Sequence, residues 1–328
     1  MIKEELIGKY TGSLLGLAIG DAIGSSVEFM RPGSFTPIND MIGGGHYNLN
    51  PGEWTDDTSM ALCLADSLVS KQGFDPYDQL TRYIKWMDEG YFSSRKKSFG
   101  IGRTTMQALE SFKRFPKPYC GLKKSDSSGN GSLMRLAPVP LVYAKNPEYA
   151  IKMSGKSSMT THQTVVCVQS CEYFGGLIVG ALYNESKDFL LSADYMKKYP
   201  YLEKRRINDE LNNVIKGSFK NKNPPEIEST GYVIKSLESA LWAFYNSESF
   251  DDGLIKVINL GNDSDTAGAI FGQLAGAYYG KENIPQKWVD LLKYSKLICN
   301  MAERLYHLSK RMKFDSVNER SIGVGVLF

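Results

Sequence analysis

The chain has 328 residues, 42% of them hydrophobic, and carries 39 Lys and Arg against 36 Asp and Glu, a net charge of +3. That apolar content supports a substantial core, and the near balance of charge excludes a strong electrostatic case for nucleic acid or an anionic membrane surface. The five cysteines are an odd number without a Cys-x-x-Cys pair; with no leader pattern at Met1–Glu5, they point to a reducing compartment and a cytoplasmic protein.

Along the chain, helical periodicity dominates and bounded, alternating strand patterns are scarce. The expectation is an all-α fold in one domain spanning 1–328, with helices near 5–24, 56–71, 75–89, 102–114, 131–145, 147–158, 162–182, 187–197, 202–217, 230–246, 250–260, 265–279 and 286–311. No uninterrupted apolar run approaches the length of a membrane span. The first helix carries Gly12, Gly16, Gly20 and Gly24, and the helix after Thr266 carries Gly268, Gly272 and Gly276. Glycine every four residues draws one stripe along a helix, and each interior Gly costs about 1 kcal/mol relative to Ala, so the stripe needs a packing reason. Close approach of these two helices is that reason, and it would carry Asp21 and Glu28 toward the second stripe's start. Between the first two helices, the Gly- and Pro-rich segment from Glu28 to Glu53 reads as a covering loop.

The remaining features have plainer readings. The basic runs Arg95–Lys97, Lys123–Lys124 and Lys204–Arg206 read as solvated faces. Tyr83, Trp86, Trp242 and Tyr245, at helical spacings, read as core. His46 and His307 suggest no role, and the final segment, Ser316 to Phe328, reads as a docked tail or an interface.

Two acidic clusters carry the chemistry: Thr55, Asp56, Asp57 and Thr58 after Trp54, and Asp263, Ser264, Asp265 and Thr266 after Asn262. Each precedes a helical run, so either alone reads as an N-cap. Adjacent carboxylates repel unless something positive neutralises them, and two clusters of the same composition together offer an all-oxygen set that suits Mg²⁺, Mn²⁺ or Ca²⁺ rather than zinc. The ligands outnumber what one octahedral ion needs, so the reading favours two cations, about 4 Å apart as in two-metal hydrolytic sites.

Three further segments suit a phosphate-containing ligand. The polar loop Ser127, Ser128, Gly129, Asn130, Gly131 and Ser132 leads into an apolar helix expected to begin near Leu133, whose free N–H groups would face an anion, with Met134 and Leu136 as core. Gly100 and Gly102, flanking Ile101, allow close backbone approach to a ligand. His162 is expected at a helix start, with a depressed pKa and a polar contact.

Taken in order, Gly20-Asp21-Ala22-Ile23-Gly24 with Glu28, Thr55-Asp56-Asp57-Thr58, Gly129-Asn130-Gly131-Ser132-Leu133-Met134-Arg135, Thr161-His162 and Asn262-Asp263-Ser264-Asp265-Thr266 resemble the ADP-ribosylglycohydrolases, within them the dinitrogenase-reductase-activating type. The resemblance spans nearly the whole chain. It implies an all-α orthogonal bundle with two Mg²⁺ or Mn²⁺ ions in a cleft, and removal of ADP-ribose from modified protein side chains. By motif position it implies Thr55, Asp56, Asp57, Asp263, Asp265 and Thr266 as metal ligands and Glu28 as a mobile acidic residue beside them. Asn130, Gly131, Ser132 and His162, with Ser128 and Gly129, would lie along the ADP-ribose, and Gly100 to Gly102 near its phosphates or distal ribose.

One departure is Gly100, where the arginine-directed enzymes tend to carry Asp; it opens the question of linkage and of the base. The expected reaction is hydrolysis of the bond from ribose C1 to a side-chain nitrogen or oxygen, arginine favoured, with Glu28 managing the proton and Asp56 and Asp57 counted with it as catalytic. The rival expectation is an immunity or binding protein that occludes an ADP-ribosylating toxin through the Glu28–Glu53 loop or the charged 184–228 region.

Overall fold

The computed structural model describes residues 3–203 and 205–314, so Lys204 and the tail from Ser316 lie outside the described residues. Fifteen α-helices follow in order: α1 (Lys3–Gly24), α2 (Asp56–Lys71), α3 (Pro76–Glu89), α4 (Arg103–Arg114), α5 (Pro138–Tyr143), α6 (Pro147–Met159), α7 (Val165–Leu182), α8 (Lys187–Leu190), α9 (Pro200–Glu203), α10 (Asp209–Ile215), α11 (Val233–Tyr245), α12 (Phe250–Ile258), α13 (Ser264–Tyr279), α14 (Gln286–Leu291) and α15 (Ser295–Arg311). Among the described residues there is no β-sheet, only isolated bridges such as Gly44 with Leu49. The protein is all-α.

The glycine stripes are the reason α1 and α13 form the central pair. A Cβ on Gly12, Gly16 or Gly20 would sit 2.3, 2.3 and 2.1 Å from the carbonyl oxygens of Gly276, Gly272 and Gly268 respectively. Numbers rising on one helix meet numbers falling on the other, so the two run antiparallel, backbone against backbone over about two turns. At the far end Gly24 presses on Ser264 and Asp265, where a Cβ would lie 2.5 Å from the Asp265 Cα. The stripe therefore delivers the end of α1 to the start of α13. Around the pair, Leu15, Ile19, Ile23, Leu64, Ile270 and Leu274 belong to one continuous buried core.

Several expected helices are shorter or split, each for a local reason. Residues 131–137 form turns rather than the start of a helix, and α5 begins only at Pro138, a residue suited to a first helical turn because it has no N–H to leave unpaired. Asn208 starts α10 afresh by accepting from the N–H groups of Glu210 and Leu211, which divides the 202–217 stretch. Tyr294, with φ 54°, divides 286–311 into α14 and α15. Tyr245 is 37% exposed rather than core. The α7 segment, Val165–Leu182, is long and apolar enough to cross a membrane by length and mean composition, but Gln169, Ser170 and Glu172 interrupt its apolar run and 89% of it is buried in the protein. Its Glu172 is paired with Arg205 at 2.8 Å, so that part of the third basic run is an ion-pair partner, not a solvated face.

Candidate active site

The two acidic clusters meet at the N-terminal ends of α2 and α13. Thr55 is the N-cap of α2, yet its side chain makes no capping bond. The cap comes from α1: Asp21 Oδ1 accepts from the Thr55 N–H and hydroxyl, both at 2.9 Å, and Oδ2 accepts from the Thr58 N–H at 3.0 Å and its hydroxyl at 2.7 Å. One buried carboxylate therefore takes the N–H groups of the cap residue and of Thr58 in the first turn, a capping role that falls to neither Asp56 nor Asp57. Asp21 was visible in the sequence only as a residue brought near; its capping across helices depends on a contact between residues 34 positions apart.

Carboxylate oxygens of Asp21, Asp57 and Asp265 come within 4.8 Å of one another, as do those of Glu28, Asp263 and Asp265. The Thr55 hydroxyl lies 2.9, 3.2 and 3.3 Å from oxygens of Asp21, Asp57 and Asp265, but it has one hydrogen and can satisfy only one of them. Asp57 Oδ1 and Glu28 Oε2 are buried without a hydrogen-bond partner. Among the described residues, no Lys or Arg forms an ion pair with Asp21, Glu28, Asp56, Asp57, Asp263 or Asp265. Burial, then mutual repulsion, pushes the Asp56, Asp57 and Asp265 carboxyls well above the usual carboxylate range. Glu28 is pushed to about 8 by burial, then by Asp263 and Asp21. Burial raises Asp21 and Asp263 too, against the hydrogen bonds they accept. Buried, all-oxygen, short of hydrogens and without a cationic partner, this set fits hard divalent cations. Thr266 lines the cleft beside it.

Glu28 is held to the second cluster by a strained backbone clasp. Phe29 and Asn262 both adopt positive φ, 64° and 53°. The Phe29 N–H donates to the Asn262 carbonyl at 2.6 Å and the Asn262 N–H to the Met30 carbonyl at 2.7 Å. A bulky residue in this region persists only when its surroundings over-determine it, as these paired bonds do.

Above the carboxylates opens a cleft of about 730 Å³ lined by Glu28, Asp56, Asp263 and Asp265 at its floor and by Gly100, Gly102, Gly129, Asn130, Gly131 and His162 on its walls. The expected site residues do not all face it. Ser128 Oγ donates to Thr164 at 3.1 Å, and Ser132 Oγ pairs with Ser158 at 2.8 Å, so both side chains are spent inside the helical packing rather than lining the cleft. The Asn130 amide donates to Asp263 Oδ2 at 2.6 Å and to Ser236 at 2.8 Å, which orients a floor carboxylate. Residues 131–137 are turns, so no helix start follows the Gly129–Gly131 loop; besides the acidic starts of α2 and α13, the start of α4 reaches the cleft, where Arg103, Thr104 and Thr105 line it after the uncapped Gly102. Its free N–H end is suited to an anion. Thr105 and Tyr47 are cleft residues that sequence reading missed, since neither sits in a polar motif.

Gly100 has φ 83°, and a Cβ there would lie 2.5 Å from Asp56 Oδ1. His162 lies not at a helix start but in the connection before α7, which Thr164 caps. It is almost fully buried, its Nδ1 is 2.8 Å from the Thr161 hydroxyl, and burial, then the nearby Arg135 charge, holds its pKa down at about 3.

With this cleft in view, the comparisons with known proteins agree. Residues 3–313 match the model of the ADP-ribosylglycohydrolase family, and the chain belongs to that family. It is 37% identical over 312 residues to the ADP-ribosylarginine hydrolase Tri1 of Serratia proteamaculans (strain 568), covering 95% of this chain and 82% of that protein. It is 28% identical over 285 residues to the ADP-ribosyl-[dinitrogen reductase] glycohydrolase of Rhodospirillum rubrum, covering 86% and 89% of the two chains. A solved ADP-ribosylglycohydrolase-related protein complex superposes with a TM-score of 0.82 at 38% identity, over 93% of this chain and 99% of that one. The protein is an ADP-ribosyl hydrolase, as the motif resemblance implied.

Proposed function

We propose that the protein hydrolyses the N-glycosidic bond between the terminal ribose C1 of ADP-ribose and the guanidino group of a modified arginine in a protein, using two divalent cations, Mg²⁺ or Mn²⁺. The observation that carries the proposal is the floor of the cleft, where Glu28, Asp56, Asp263 and Asp265 line the opening and Asp21 and Asp57 cluster with Asp265, none of them paired with a cationic side chain among the described residues. The arginine linkage is supported by the relatives at 37% identity that are ADP-ribosylarginine hydrolases.

Thr55, Asp56, Asp57, Asp263, Asp265 and Thr266 are the residues to hold the cations, with Asp21 fixing the first cluster from behind. When bound, such cations orient ribose hydroxyls and make a bound water more acidic. The rest falls to the chain itself. The floor carboxylates oppose the positive charge that develops on the ribose ring as the bond to nitrogen breaks. Glu28, on the cleft floor, passes a proton between water and the leaving guanidine in this reading, so that hydroxyl ends on C1 and hydrogen on nitrogen. The first turn of α4 and the Gly129–Gly131 loop line the path for the diphosphate and the rest of the nucleotide.

The test is release of free ADP-ribose from arginine-, serine- and ester-linked proteins, each with Mg²⁺, Mn²⁺ or excess chelator. Release from the arginine substrate that chelator abolishes is the expected result. Release from another linkage alone would overturn the arginine assignment, and turnover unaffected by chelator would overturn the cations.

A further inference from the structure

Arg135 follows the Gly129–Gly131 loop and is completely buried, 0% exposed, with no carboxylate in ion-pair distance among the described residues. Its Nη2 donates to the Thr161 hydroxyl at 2.6 Å and lies 3.4 Å from that of Thr160; its Nη1 lies 3.7 Å from Met60 Sδ, and the guanidinium sits 4.4 Å from the centre of the Tyr83 ring. Its Nε has no partner. A buried, unpaired cation is costly, so its retention calls for a use.

The bonding order from Arg135 outward supplies one. A guanidinium only donates, so the Thr161 oxygen is the acceptor in the 2.6 Å contact. Thr161 is itself fully buried, and His162 Nδ1 at 2.8 Å is the acceptor left for its single hydrogen among the described residues. Had Nδ1 carried the ring proton, that hydroxyl hydrogen would be buried and unpaired, an expensive arrangement. Nδ1 is therefore bare and the ring proton sits on Nε2. The nearby guanidinium also disfavours a second proton on the ring.

The Nε2 edge points to the cleft wall. A Cβ on Gly131 would lie 2.9 Å from Cε1 and 3.2 Å from Nε2 of His162, and one on Gly129 3.5 Å from Nε2, so the glycines of this motif make room for the ring. His162 lines the cleft, and no described protein group bonds its Nε2. We propose that Arg135 and Thr161 are positioning residues that lock His162 as its Nε2–H tautomer, so that the cleft wall offers a neutral N–H donor to an oxygen of the bound nucleotide. The tautomer follows from the bonding alone; the choice of ADP-ribose as ligand rests on the proposed function.

The test uses the full chain labelled with ¹⁵N-histidine. Only three histidines are present, and His162→Gln assigns the resonance of interest. In long-range ¹H–¹⁵N spectra at neutral pH, the wild type is expected to show protonated Nε2 and bare Nδ1 at His162. Thr161→Val, which keeps the shape but removes the hydroxyl, is expected to change that pattern, and Thr161→Ser to restore it. A protonated Nδ1 in the wild type, or an unchanged pattern in Thr161→Val, would overturn the lock. Calorimetry with ADP-ribose supplies the second readout: Thr161→Val is expected to weaken binding about tenfold, the scale of one lost hydrogen bond, and Thr161→Ser to bind as the wild type. An altered tautomer with unaltered affinity would overturn the role toward the nucleotide. A wild type that does not bind ADP-ribose at all would overturn the proposed function instead, and the spectra would still decide the tautomer.

Discussion

Asp57 carries a buried charge whose cost the proposed cations would offset. Its Oδ1 is buried without a partner, and its neighbours Asp21 and Asp56 repel its charge. Asp57→Asn is predicted to lower ADP-ribose release by at least about 100-fold, since even groups that only support metal ligands contribute 10- to 100-fold. In chelator the same variant is predicted to unfold at a temperature no lower than the wild type, because one of several crowded like charges has gone. Thermal unfolding with and without Mn²⁺ checks both sides: the wild type gains stability from the ion by mass action and the variant gains less. A variant clearly less stable in chelator would show that Asp57 serves packing.

Gly100 makes a second prediction at the same scale. Gly100→Asp places a Cβ 2.5 Å from Asp56 Oδ1 on backbone with φ 83°, a strain of about 1–2 kcal/mol, and adds another negative charge to the floor. The expected outcome is loss of activity of about tenfold or more, on the scale of that strain, with no gain in preference for arginine-linked substrate. A gain would mean that the loop moves to admit the carboxylate. In this structure the glycine leaves room for Asp56 Oδ1.

Among the elements, the α1–α13 pair matters most. Gly20 and Gly268 cross where a Cβ on Gly20 would lie 2.1 Å from a backbone oxygen. Gly20→Ala is predicted to destabilise by about 1–3 kcal/mol, the usual cost of overpacking, measured by urea unfolding. It is also predicted to weaken Mn²⁺ binding, because α1 holds Asp21 and α13 holds Asp265. Unchanged stability would mean that the helices separate freely.

This pair also explains what sequence alone could reveal. The four-residue glycine spacing marked two helices with a reason to touch, and the matching Thr–Asp composition marked two clusters with a reason to meet; those signals are local and periodic. Ser128 and Ser132 were misplaced because motif position gives the backbone path but not the direction of each side chain. Tyr47 and Thr105 were missed because they reach the cleft through tertiary packing, one from a loop and one from the first turn of α4. The helix expected at Leu133 failed for a readable reason, since Pro138 and Pro140 stand where its regular bonding would continue.

Across the molecule, Glu53 joins segments remote in sequence. It accepts from the Asn50 N–H at 2.9 Å, from Arg95 at 3.0 Å and from Lys293 at 3.1 Å. Arg95 also donates to the Tyr47 and Asn48 carbonyls, so the Glu28–Glu53 loop is tied down near its end and this basic run is partly structural. Burial alone would raise the Glu53 carboxyl, but these hydrogen bonds outweigh it and bring it to about 2. A depressed carboxylate adds stability above its unfolded value of 4.5, and that share is lost as pH falls toward 2. Glu53→Gln is predicted to cost about 1.5–3 kcal/mol at neutral pH, the range for hydrogen bonds to a charged group. The gap should narrow progressively below pH 4.5 in denaturant titrations, and a gap constant with pH would contradict the assignment.

Everything proposed for the cleft depends on the clustered carboxylates forming a two-cation floor. Its most direct measurement is a count of bound Mn²⁺ per chain by electron paramagnetic resonance of the free ion during titration, on the wild type and on Asp57→Asn and Asp265→Asn. Two ions are expected on the wild type, with loss of at least one in each variant. Binding of none or one to the wild type, or an undiminished count in both variants, would contradict it.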